Sequence, residues 1–320
     1  AKVHHPVEVG DGQRRWRHPT RPMTQRTPPG FAAFGLMILL CAIWGFQQVT
    51  IKIASEGVSP VLQCGLRSAI ALFFLLLWAR WRGQSFRQDD GTWRLGLLAG
   101  LLFAIEFIFI YVGLAYTTAA RMVVFLYTAP CLTVLGLHCF VPGEQLRWRH
   151  AGGIALAFVG ILLGFIGQGG VHPDTWIGDL LGLLAALGWA ATTVLIRASG
   201  LARISATRVL FYQLATSSVL VLPVAALIGE SGVSVVSLPV VLALAYQGIV
   251  VAFASYLAWF WLLTRYLAGR LMVFSFLTPL FGVAFGVIFL AEPLTATFLV
   301  AAVCVALGIV LVNLPAGGTR

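Results

Sequence analysis

Charge is what this sequence has least of. Of its 320 residues only 10% are Asp, Glu, Lys or Arg, and the acidic share is the smaller, 11 residues against 21 basic ones. A soluble domain averages about 25% charged residues, so this composition is too poor in charge to cover a water-facing surface, and it implies an integral membrane protein. Cysteine is sparse too: Cys41, Cys64, Cys131, Cys139 and Cys304 lie in apolar stretches without CxxC spacing. That excludes a disulfide framework and a thiolate metal site, and leaves small packing residues. No HExxH occurs, and the one adjacent acidic pair, Asp89-Asp90, stands in an arginine-containing loop. A membrane-embedded transferase needs clustered carboxylates to hold Mg²⁺ and a pyrophosphate, so an enzyme of that class is disfavoured. No filter-like sequence argues for a channel, and neither a cofactor nor a metal is expected.

What is present is apolar: 59% of the chain is hydrophobic, with a mean hydropathy of +0.93 and a pI near 10.0. Basic residues in short loops between apolar stretches report membrane orientation rather than nucleic-acid binding, so no nucleic-acid partner is expected. Residues 1–30 are polar and rich in Pro and Arg without periodicity, and read as a disordered cytoplasmic tail. Met23 offers an ordinary start, which leaves residues 1–22 open to being a start-site artefact.

Apolar segments of about 20 residues, enough to cross about 30 Å of hydrocarbon, then recur at 31–53, 60–79, 93–116, 121–140, 150–167, 176–197, 205–228, 239–263, 271–290 and 294–314. The expected fold is therefore an all-α integral membrane protein of ten transmembrane helices. Alternate loops carry Arg80, Arg82, Arg87 and Arg94; Arg147 and Arg149; Arg197, Arg203 and Arg208; and Arg265 and Arg270, while the others are nearly free of Lys and Arg. The positive-inside rule then puts both termini in the cytoplasm.

One stretch occurs twice. LAYTTAARMVVFLYTAP (Leu114 to Pro130) is answered by LLTRYLAGRLMVFSFLTP (Leu262 to Pro279), with Arg121 and Arg270 standing 149 residues apart, as do Pro130 and Pro279. Trp44-Gly45 with Lys52 is answered by Trp189-Ala190 with Arg197. The units are residues 31–167 and 176–314. A unit of five spans starts and ends on opposite sides, so the second copy is inverted, and inverted repeats place a binding site near the midplane between halves that rock to expose it alternately. The reading is a secondary transporter. With complete inverted halves a monomer suffices, and a homodimer stays open.

Several motifs fall in order along this frame: Trp44-Gly45 then Lys52, Ser59-Pro60 then Arg67, Pro130, Gly143-Glu144, Gly178-Asp179-Leu180 leading to Trp189-Ala190 and Arg197, and Pro279 with Glu292-Pro293. Together they resemble the EamA-type drug/metabolite transporters over residues 31–314. The resemblance implies a bacterial inner-membrane carrier of ten helices, an exporter of amino acids, other small metabolites or toxic cations, with a central cavity lined by both halves. Glu106 has no counterpart in the family pattern, so no role is carried over to it.

Glu106 lies mid-span in LFAIEFIFIY, where a carboxylate costs about 2.5–3.5 kcal/mol on insertion scales and should face the bundle interior. It is the candidate proton-coupling or cation-recognition group, against a purely structural tether between helices. Trp44, Gln47, Gln48, Tyr127, Trp189, Thr193, Gln247 and Tyr256 are the polar and aromatic residues nearest mid-depth. A mostly apolar pocket with a few orienting groups suits amino acids with apolar side chains, or flat organic cations through cation–π contacts; ordinary helix packing is the competing reading for each residue. Pro130 and Pro279 interrupt corresponding spans and are candidate hinges, with Gly136, Gly282 and Gly286 allowing close helix contact.

Arg67 and Lys52 could attract a substrate carboxylate, Arg67 bidentately, or snorkel to headgroups. Arg121 and Arg270 are expected to close helical hairpins on backbone carbonyls or headgroups. Glu144 and Glu292 are expected to cap the next helix in sequence. Trp78, Trp81, Trp93, Trp148 and Trp176 at span ends suit interfacial belts. Phosphorylated substrates would call for several inward-facing cations, and the spans offer essentially Arg67.

Overall fold

The computed structural model describes residues 30–86, 91–141, 148–166, 173–230, 232–265 and 273–313. The N-terminal tail, Glu144 and Arg270 fall outside them. Among the described residues the chain is helical, with no β-strand; one isolated antiparallel bridge joins Val58 to Val233. We number the helices α1 (Phe31–Ala54), α2 (Pro60–Trp81), α3 (Trp93–Gly113), α4 (Ala119–Leu126), α5 (Ala129–Phe140), α6 (Trp148–Ile166), α7 (Thr175–Ala198), α8 (Ala206–Leu227), α9 (Leu238–Ala245), α10 (Tyr256–Arg265), α11 (Leu277–Leu290) and α12 (Ala296–Asn313).

Among the described residues seven stretches are long and apolar enough to cross a membrane: α1, α2, α3, Ala119–Phe140, α7, α8 and Leu238–Trp259. Three shorter apolar helices accompany them, His150–Gly164, Leu277–Leu290 and Ala296–Val312. The expected spans differ from this in their interiors. The span at 121–140 is two helices, since α4 stops at Leu126, the Thr128 hydroxyl donates to the Phe125 carbonyl at 2.7 Å, and α5 restarts with Pro130 in its first turn. The span at 239–263 is π-helical from Tyr246 to Ser255. A 3₁₀ turn, Val273–Phe276, leads into α11 and Pro279.

These helices are apolar nearly all round, and large side chains such as Leu77, Leu162, Val219, Ile288 and Val303 remain exposed on their outer surfaces. Hydrophobicity therefore does not choose the inward face. Small residues do. A Cβ on Gly45 of α1 would come within 2.8 Å of the Gly282 backbone nitrogen of α11, and one on Gly153 of α6 within 2.8 Å of the Gly308 carbonyl of α12. Helices from the two parts of the chain thus interlock: α1 packs on α11, α2 on α8, α3 on α7 and α8, and α6 on α12. Trp81 and Trp148, both largely exposed, sit at helix ends, with the Arg82 guanidinium 5.7 Å from the Trp81 ring.

Candidate substrate site

The interior is built on one face of α3. Phe103, Glu106 and Phe107 are spaced so that all three point the same way, and opposite them stands Arg67 of α2. Arg67 is 0% exposed. Its guanidinium carbon lies 3.8 Å from the Phe107 ring centre and 5.9 Å from those of Phe103 and Tyr256, and Nη2 donates to the Tyr256 hydroxyl at 3.0 Å. Nε and Nη1 have no acceptor.

Glu106 is buried, at 6% exposure, within electrostatic range of Arg67, Tyr127 and Tyr256. Its Cβ packs at the α3–α7 crossing, where a Cβ on Gly188 would lie 3.2 Å away. The residue after Gly188 is Trp189, whose ring meets Tyr127 edge-on at 5.3 Å. Tyr127 belongs to the break between α4 and α5, so the interrupted backbone delivers an aromatic ring to this centre.

Trp44 donates Nε1–H to Ser255 Oγ at 2.9 Å and stands edge-on to Trp259 at 6.0 Å, which anchors it to the stretch that presents Tyr256. Gln47 and Gln48 are buried on α1, and Gln48 Oε1 has no partner. Thr193 turns its hydroxyl back to the Trp189 carbonyl at 2.9 Å. Gln247 is 0% exposed and committed at both ends of its amide: Oε1 accepts from Tyr111 at 2.7 Å, and Nε2 donates to the Thr50 carbonyl at 3.1 Å and to Gln63 Oε1 at 3.0 Å. It ties the π-helical stretch to α1, α2 and α3. Glu106, Tyr127, Trp189 and Tyr256 come together with Arg67, and Gln247 belongs to a polar network that adjoins them through Tyr111, itself within electrostatic range of Arg67.

One end of the bundle is fastened by carboxylates from the later part of the chain. Glu292 does not cap the helix that follows it. Oε1 and Oε2 accept from the backbone N–H of Ala119 and Ala120, at 2.6 and 2.9 Å, where the free amides and dipole at the start of α4 attract negative charge. The chain reaches this position through Ala291 at φ 51°, and a Cβ on Gly286 would lie 2.5 Å from the carboxylate. Asp179 of α7 takes Arg121: Nε donates to Oδ1 at 3.1 Å and to Oδ2 at 3.2 Å, and Nη2 joins Oδ2. Nη2 also donates to the Gly164 carbonyl at 2.7 Å, and Thr117 donates to Oδ1 at 2.8 Å. Arg121 thus finds the expected backbone carbonyl together with a carboxylate. Glu230 accepts from Val61 N–H at 3.0 Å at the start of α2, and its carbonyl accepts from Ser59. At another connection a groove of about 470 Å³ is lined by Gly83, Gln84, Ser85, Phe86, Arg203, Ile204, Ser205 and Arg208.

Asp179, Phe103, Phe107 and Tyr111 stand in the sequence only inside longer motifs that assign them no role, and Glu230 carries no local signal. The Phe-Glu-Phe spacing on α3 was the one available signal.

Apolar helices interlocked around a buried Arg, a buried Glu and a set of aromatic rings define a multi-pass membrane protein, and the comparisons give its class as a transporter. The chain belongs to the EamA-like transporter family, which matches residues 32–166 and 176–314. It is similar to an uncharacterised transporter of Archaeoglobus fulgidus, 26% identical over 78% of this chain and 86% of that protein. It is similar also to the uncharacterised transporter YvbV of Bacillus subtilis, 28% identical over 87% and 90%. A protein of Escherichia coli named "Probable amino-acid metabolite efflux pump" is 25% identical over 86% and 92%. A solved structure titled "Crystal structure of protein" shares the fold with a TM-score of 0.64, at 22% identity over 88% of this chain and 98% of that one.

Proposed function

We propose that this transporter exports amino acids or related small metabolites across the bacterial inner membrane by alternating access, with ten transmembrane helices, inverted repeats at 31–167 and 176–314 and both termini cytoplasmic. The observation that carries the reading is Glu106, a carboxylate buried mid-helix beside Arg67 and among aromatic rings from both parts of the chain. An intramembrane ionisable group of this kind marks a substrate or proton path. Glu106 is the proton-coupling residue, and the breaks before Pro130 and Pro279 are the hinges. The helix pairings support the repeat: α1 with α11 is answered by α7 with α5, and α3 with α7 by α9 and the π-helical stretch with α1. The fastened end, where Glu230, Glu292 and Asp179 grip α2, α4 and Arg121, is in this reading the closed periplasmic gate. The name of the Escherichia coli relative supports the substrate class.

The test is flux into proteoliposomes for a labelled panel of aromatic, aliphatic, basic and acidic amino acids and an organic cation, with and without a pH gradient. Accumulation of an amino acid should require the gradient and should be lost in Glu106→Gln. Flux that ignores both the gradient and the substitution makes the protein a facilitator and Glu106 a structural group.

A further inference from the structure

Resting on the transporter reading, a sharper statement concerns which chemical group the centre grips. We infer that Arg67 is the receptor for a carboxylate on the substrate, taken up at the free N–H groups of its guanidinium, and that carrying a carboxylate is a condition of binding.

The argument starts from a mismatch between burial and bonding. Buried cations are paired or fully hydrogen-bonded, because an uncompensated charge away from water is costly. Arg67 is 0% exposed, yet Nε and Nη1 have no acceptor and Nη2 has only a phenol. Arg121 displays the same side chain with its partner built in, held by Asp179 and the Gly164 carbonyl. Arg67 is braced as though for an equal load without the partner. Phe107 lies over the guanidinium at 3.8 Å, and the free N–H groups point outward in the guanidinium plane, the approach that a planar carboxylate makes to this fork.

Glu106 does not supply that acceptor. It is within electrostatic range yet leaves Nε and Nη1 unpartnered. When ionised it offsets part of the charge, and a single guanidinium suits a singly charged carboxylate better than a phosphate, for which several cations would be needed. Arg67 and an ionised Glu106 together match the two charges of a zwitterion. An organic cation without a carboxylate would leave Arg67 unpaired and add to its charge.

The experiment is ligand-induced thermal stabilisation of the full-length protein in detergent, which requires no flux. The probes are phenylalanine, phenylalanine amide, phenethylamine and 3-phenylpropanoate, one aromatic frame with and without its carboxylate. Phenylalanine and 3-phenylpropanoate should raise the melting temperature, with affinities at least about tenfold above those of the amide and the amine. Arg67→Lys, which keeps the charge and loses the fork, should weaken both acids at least about tenfold at an unchanged unliganded melting temperature. Equal stabilisation by acid and amide overturns the inference, as does stabilisation by none of the four or an Arg67→Lys protein that binds the acids as wild type does. Should Arg67→Lys fail to fold, the acid and amide on wild type decide alone. Acid-specific binding without flux for the labelled panel would leave this inference standing and remove the transport reading it began from.

Discussion

Arg121 and Arg67 are two of the arginines buried among the described residues of this membrane protein, and they live differently. Arg121 is 3% exposed and meets a carboxylate on Nε and Nη2 and a backbone carbonyl on Nη2, so that α4, α6 and α7 are joined through one side chain. Arg67 is more deeply buried, at 0%, and meets a phenol and aromatic faces. Since both guanidiniums lost their water, the difference lies in what replaced it. A satisfied buried cation fixes the elements around it. One left with free donors keeps bonding capacity in reserve, and a transporter needs both kinds of place.

The contrast can be broken by experiment. Arg121→Met leaves Asp179 buried without its partner, and the cost should be about 3–5 kcal/mol, seen as a large drop in melting temperature in detergent and in folded yield. Arg121→Met combined with Asp179→Leu should recover most of that loss; no recovery would mean that the ion pair is not what holds the helices. Glu292→Gln should cost less, about 1–3 kcal/mol, because the amide presents one acceptor to two backbone N–H groups. The same variant should speed labelling of a cysteine placed at Thr118 by a membrane-impermeant maleimide, and an unchanged rate would separate this contact from gating. Arg67→Met should cost clearly less than Arg121→Met, because Arg67 has no direct carboxylate partner and Glu106, which loses a countercharge, can take up a proton instead, while flux is lost. If its melting temperature falls as far as that of Arg121→Met, the two arginines do the same job and the comparison collapses.

The positions of the apolar stretches were legible because each helix is carried by its own residues. Partners were not legible. Glu292 reads as a helix cap from its type and its neighbour Pro293, but the helix it caps begins at Ala119, far away in sequence, and nothing local names that target. Asp179 stands in the same case with Arg121. Glu106 announces itself by being a carboxylate in an apolar span, and Phe103 and Phe107 share its face by helical spacing, yet only the packing of α2 on that side turns them into the surroundings of Arg67. Gln247 shows the opposite limit. A mid-span amide suits a substrate pocket or ordinary helix packing, and here Gln247 is hydrogen-bonded to Tyr111, Thr50 and Gln63, none of which its position in the sequence names. The π-helical stretch left no trace in the sequence, because an unbroken apolar run reads the same whichever way it winds.

That stretch has a mechanical corollary. From Tyr246 to Ser255 the backbone winds with more residues per turn than the helices on either side, and it ends at Tyr256, whose hydroxyl is the acceptor for Arg67. An α-helix advances about 100° per residue. The wider coil advances less per residue, so tightening it back into α register would swing α10 about its own axis by the accumulated difference, carrying the Tyr256 phenol off the guanidinium. The coil that presents the hydroxyl works like a screw thread, and turning it is what withdraws the phenol.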